Sequence, residues 1–264
     1  MLRSINDLQG NALHATDGDI GTVEEFFFDD QSWTVRYLVT DTGGWLTDRQ
    51  VLLSPAVVRG VDWETKGVQV GITREQVKNS PDISTHMPIS RQAEAELSNH
   101  YGYQPYWDGV ALWGTGLYPY APTGLAMPPI PPAPAAHELA READQLARPE
   151  GDPHLRSTRE VRGYHIHASD GEIGHVSDFL IDEETWQIRY LVLDTRNWWP
   201  GKHVLIAPKW IDSIDWESAT VSVKVAKDTI QHAPEYDPAA LTREYEAALH
   251  RHYDRPAYWE DRRQ

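Results

Sequence analysis

The 264-residue sequence contains no cysteine. That excludes disulfide staples and thiolate metal centres. No apolar run approaches the roughly 18 residues that a membrane-crossing helix needs, and the mean hydropathy is -0.56. Membrane insertion is therefore not expected. The opening stretch MLRSINDLQGNALHATDGD has no apolar core of the kind a secretory signal requires, so a cytoplasmic location is expected. Basic residues are scarce: 24 Lys and Arg stand against 40 Asp and Glu, for a net charge of -16. Such a balance opposes phosphate backbones and anionic lipid, so nucleic acid is not an expected partner. Gly-x-Ser-x-Gly, the P-loop, the dinucleotide fingerprint and HisGlu-x-x-His are all missing. No catalytic residue is assigned, the chain is not expected to be an enzyme, and no cofactor is expected.

What the sequence does contain is itself, twice. Leu8 to Pro81 matches Val161 to Pro234 at a constant offset of 153 without a gap, with 27 of 74 positions identical. After a shift to an offset of 152 the match resumes: Arg91, Glu94, Leu97, His100, Tyr101, Tyr106 and Trp107 correspond to Arg243, Glu246, Leu249, His252, Tyr253, Tyr258 and Trp259. Two units of one domain follow, 1–107 and 154–264. Between them, residues 108–153 hold nine of the 18 prolines, a composition that favours extended, semi-rigid geometry and reads as a linker. His137 to Ala147 is a short helix candidate inside it. Trp113, Tyr118 and Tyr120 are candidates for docking on a barrel or for contacting a partner.

Each unit reads as a small antiparallel barrel. The AspGly pairs at 17–18 and 170–171 mark hairpin turns, because Gly accepts positive φ and Asp bonds its own backbone. Strands are predicted over Ile20–Phe28 and Ile173–Ile181, over 33–39 and 186–192, and over shorter segments at 50–54, 57–62 and 67–72 with their counterparts at 203–207, 210–215 and 220–225. ThrArgGluGln at 73–76 fits a capping box. In the tails, Ile89, Ala93, Leu97 and His100 match Leu241, Tyr245, Leu249 and His252 at helical spacing, and Asp237–Pro238 supplies an N-cap and N1 pair. The fold class is mainly β with α: two small barrels, each followed by an amphipathic helix, joined by a Pro-rich linker.

The AspGly(Asp/Glu)IleGly turn, the Trp-x-(Val/Ile)ArgTyrLeuVal-x-AspThr strand and the Val-Leu-(Leu/Ile)-(Ser/Ala)-Pro segment resemble the PRC-barrel family in both copies. That family includes the cytoplasmic domain of the photosynthetic reaction centre H subunit and the C-terminal barrel of a ribosome maturation factor. The resemblance implies a non-enzymatic adaptor or assembly module acting through protein contacts. Resemblance alone connects such a module with photosynthetic or electron-transport complexes. An RNA- or ribosome-associated module is the alternative, and a metal or small-ligand sensor the second. Protein partners are expected, as is a homo-oligomer or intrachain pairing of the barrels.

Aromatic side chains at loop tips and tail ends are contact anchors. Trp45, Trp198 and Trp199 follow the central strands, and Tyr106, Trp107, Tyr258 and Trp259 close the tails; these seven are the interface candidates. Arg36 and Arg189 share one strand position, with Asp41, Asp194, Asp62 and Asp215 as ion-pair partners. No metal is assigned. The imidazoles nearest to a ligand set are His165 and His167, an i, i+2 pair, and His175 beyond the turn.

Overall fold

The computed structural model describes residues 1–81, 89–120, 154–195 and 202–260. The strands are β1 (Leu2–Ser4), β2 (Ala12–Ala15), β3 (Gly18–Asp29), β4 (Thr34–Asp41), β5 (Gln50–Leu53), β6 (Val58–Asp62), β7 (Gly67–Val70), β8 (Leu155–Ser157), β9 (His165–Ala168), β10 (Gly171–Asp182), β11 (Ile188–Asp194), β12 (His203–Ile206), β13 (Ile211–Asp215) and β14 (Thr220–Val223). They form two seven-stranded sheets with the same path, β5-β4-β3-β2-β7-β6 and β12-β11-β10-β9-β14-β13. The AspGly turns join β2 to β3 and β9 to β10 as antiparallel hairpins, whereas β2 with β7 and β9 with β14 are parallel pairs.

The seventh strand of each sheet comes from the other repeat. β8 pairs with β3, Phe27 facing Ser157 and Asp29 facing Leu155, while β1 pairs with β10. Both strands read Leu-Arg-Ser, at the offset of 153 that governs the rest of the repeat. The chain accordingly divides into a first compact unit of Met1, Ile5–Arg159 and Asp182–Gln187 and a second of Leu2–Ser4, Glu160–Ile181 and Ile188–Gln264. Within the first, Ser157 Oγ donates to Glu25 at 2.5 Å and Arg156 meets Asp30 at 2.9 Å. Within the second, Ser4 Oγ donates to Asp178, the repeat counterpart of Glu25.

Bulges bend the long strands. Each β3 and β10 slips register where glycine allows it, and Gly21 and Gly174 take φ of +142° and +144°. An added Cβ there would lie 1.9 Å from the Asp41 carbonyl oxygen and 2.1 Å from that of Asp194. The sheets curl around aliphatic and aromatic cores: Leu13, Ile20, Phe26, Phe28, Leu38 and Val68 in the first unit, Ile166, Ile173, Phe179, Leu191, Val204 and Val221 in the second, all within 1 % of full burial. Such a side chain contributes roughly 1.5–3 kcal/mol when taken from water.

Thr73 forms its capping box with Gln76 and starts the one-turn helix Arg74–Lys78. The tail helices are α1 (Arg91–Tyr101) and α2 (Arg243–His252). Ser90 caps the first by accepting from the Ala93 N–H, and Gly102 ends it at φ 71°. The expected cap of the second is displaced. Asp237–Pro238 opens only the short turn Pro238–Ala240, Leu241 leaves helical geometry at ψ 84°, and Thr242 caps α2 instead. Residues 108–120 of the expected linker lie in the first unit, and the helix candidate at 137–147 lies outside the described residues.

Candidate functional site

The strongest concentration of polar chemistry in each unit lies where the central strand meets the tail helix. Glu94 on α1 is fully buried and accepts from Tyr37 Oη of β4 at 2.8 Å and from Tyr106 Oη at 2.9 Å, with Arg91 Nη1 at 3.2 Å from its other oxygen. The Arg36 guanidinium lies 3.9 Å from the centre of the Tyr106 ring, and Arg91 lies 4.3 Å from that of Trp107. Burial beside Glu94 raises the Tyr37 hydroxyl well above the ordinary tyrosine range, so it stays a donor.

The second unit rebuilds the arrangement. Glu246 of α2 accepts from Tyr190 at 3.2 Å and Tyr258 at 2.9 Å and pairs with Arg243 at 3.0 Å. Arg189 stacks on Tyr258 at 4.4 Å and Arg243 on Trp259 at 4.2 Å. Burial raises the Glu246 carboxyl, an effect moderated by donation from Tyr258 and attraction to Arg243. Burial and the neighbouring Glu246 push Tyr258 up to about 12. Here Ser98 of the first unit is replaced by His250, whose Nε2 lies 2.9 Å from Tyr190 Oη and whose imidazole burial drives downward in pKa. Trp210 stands where the first unit has Val57 and packs on Tyr253 at 4.7 Å. Each carboxylate is enclosed by tyrosines and a cation of its own unit, an arrangement suited to bolting a helix onto a sheet.

The interface candidates that fall among the described residues all have contacts within their own unit. Tyr106, Trp107, Tyr258 and Trp259 belong to the two clusters above. Trp45 folds back, its Nε1 donating to the Ile20 carbonyl at 2.9 Å under the Arg74 guanidinium at 4.5 Å. Trp198 and Trp199 lie outside the described residues.

The expected ion pair is corrected. Arg36 meets Asp29 at 3.2 Å, along with Ser32 Oγ and the Leu112 carbonyl, and not Asp41 or Asp62. Asp29 faces Thr34 across the hairpin, a diagonal neighbour of Arg36, while Asp41 is five residues along the same strand, about 16 Å away. Asp41 instead caps Gly43. Asp62 and Asp215 accept from the amides of their own turns, which lowers both carboxyls. Asp194 lies 3.8 Å from His203. His165 pairs with Glu172 at 2.8 Å and faces His175 across the strands, and His167 faces Glu172.

Sequence reasoning missed the roles of Glu94, Glu246 and Asp29, although each is identical between the repeats. It also left open whether Trp113, Tyr118 and Tyr120 dock on a barrel. Trp113 is 7 % exposed, donates from Nε1 to the Thr185 carbonyl at 2.9 Å and lies 4.9 Å from Arg36.

The sequence profile of the PRC-barrel domain matches residues 2–77 and again 155–230, more than half of the chain. The chain belongs to the PRC-barrel family. Each PRC-barrel match begins at a Leu-Arg-Ser strand and stops at the short helix after the sheet, so α1, α2 and the segment 105–120 lie outside the matched regions. No curated protein matches the chain. No helix among the described residues is long and apolar enough to cross a membrane.

Proposed function

We propose that this tandem PRC-barrel protein is a non-catalytic adaptor that engages protein partners through the apolar display of residues 110–118. One observation carries the reading. Val110 is fully exposed (109 %), Leu117 is 54 % exposed and Tyr118 is 36 % exposed, yet the stretch between them is pinned by Trp113, by the Arg36 bond to the Leu112 carbonyl at 2.7 Å, and by the bridges Ala111–Gly114 and Trp113–Gly116. Apolar side chains on a segment that is already ordered lose little conformational freedom on binding. The buried acids, by contrast, are occupied in holding helix to sheet.

The partner that fits is a protein with an apolar groove and a basic rim, given the net charge of -16. The test replaces Val110 and Leu117 together by Glu and measures affinity for partners captured by the wild-type chain from its own cells. Binding is expected to weaken at least about tenfold with the denaturation midpoint unchanged, because both side chains face water. Equal affinity for the double variant overturns the reading. Light scattering then separates a second copy of this chain from a different protein.

A further inference from the structure

The strand register of the second unit lines up four side chains across adjacent strands. His165 on β9 faces His175 on β10, His175 faces Asp194 on β11, and Asp194 faces His203 on β12. Directly opposed residues share a face, with Cβ atoms roughly 4.5–5.5 Å apart. The next line along, Val176, Leu193 and Val204, is fully buried, so the imidazoles occupy the other face of the sheet.

The same line in the first unit reads Ala12, Thr22, Asp41 and Gln50. The aspartate is common to both, and all three remaining positions become histidine in the second repeat. Core packing does not require this, since His165 is 57 % and His203 38 % exposed. Asp194 between the two is 2 % exposed, with Oδ2 3.8 Å from His203 Nε2. His165 Nδ1 is already oriented by Glu172 at 2.8 Å, as an outer carboxylate orients an imidazole that donates through Nε2.

We propose that His175, Asp194 and His203 form a site for a divalent transition-metal ion of the zinc, nickel or copper class, with His165 at its flank. Imidazole and carboxylate donors suit these ions, which take nitrogen at about 2.0–2.1 Å. Among the described residues no three such groups converge at ligand distance as they stand. Binding requires the imidazoles of His175 and His203 to turn inward over Asp194. The trio differs from the one the sequence spacing singled out, because His167 faces Glu172 and falls out of the line.

The experiment titrates Zn²⁺, and Co²⁺ as its spectroscopic substitute, into the chelator-treated full chain. One equivalent is expected to bind, with roughly tenfold or greater weakening in His175→Thr and in His203→Gln, each of which restores the residue of the first repeat, and with no change in His167→Ala. Sub-stoichiometric Co²⁺ should broaden the His175 and His203 ring resonances first in the wild-type chain, a readout that needs no variant. Absence of a stoichiometric site, unchanged affinity in His175→Thr or His203→Gln, or equal loss in His167→Ala overturns the proposal.

Discussion

Replacing Glu94 by Ala tests the bolt between sheet and helix most directly. The substitution removes the acceptor of two tyrosine hydroxyls, at 2.8 and 2.9 Å, and the partner of Arg91. Tyr37 is 1 % exposed, so water cannot take the place of the carboxylate at its hydroxyl, whereas half-buried Tyr106 can be rehydrated. A stranded buried hydroxyl costs about 1–3 kcal/mol and the half-buried Arg91, left without its carboxylate, adds to this, giving about 3–5 kcal/mol for Glu94→Ala. Tyr37→Phe removes one donor and leaves the carboxylate its other two partners, so about 1–2 kcal/mol is expected. The double variant should lose less than the sum of the two by about 1 kcal/mol or more, because the second substitution removes a bond that is already broken. Urea denaturation followed by circular dichroism gives the free energies. Hydrogen exchange should place the loss in α1 and β4. A Glu94→Ala variant within 0.5 kcal/mol of wild type, or strict additivity with Tyr37→Phe, would refute the reasoning.

Two further outcomes follow from the geometry. Gly21→Ala sets a Cβ 1.9 Å from a backbone oxygen at φ +142° and should lose more than about 4 kcal/mol, whereas Gly10→Ala, at φ +81° with nothing within 4 Å, should lose about 1 kcal/mol; thermal melts that rank the two alike contradict this. His250 has a lowered pKa in the folded state, so its contribution is complete above the ordinary value of 6.5 and is lost as the pH falls from there through the folded value. The second unit should therefore weaken on acidification by at most about 1.4 kcal/mol per pH unit from this group, and His250→Gln should flatten that slope. An unaltered pH profile in the variant counts against the buried neutral imidazole.

Much of this was legible in the residues. The AspGly dipeptides announced their hairpins, because turn chemistry is local, and the repeat itself, at 27 of 74 identities, marked two domains. The capping box at Thr73 was equally local. Less was legible where a side chain chooses among distant partners. Arg36 had Asp41 and Asp62 as candidate partners, and only the hairpin register brings Asp29 to it. Asp237–Pro238 has the composition of a cap, but the backbone turns away at Leu241 before a helix can propagate. The row of His175, Asp194 and His203 is invisible as a motif, since its members are 19 and nine residues apart in sequence and meet only through strand pairing.

The borrowed seventh strands change how this protein can be cut. A fragment ending at the repeat boundary, residues 1–107, contains its own β1 but leaves Phe27 to Asp29 of β3 without β8, an unpaired edge of the kind that invites aggregation. Residues 5–159 would carry every strand of the first sheet. The duplication is thus no longer two interchangeable halves. Having traded their first strands, the repeats have become mutually dependent, and loss of either would leave the survivor's sheet incomplete.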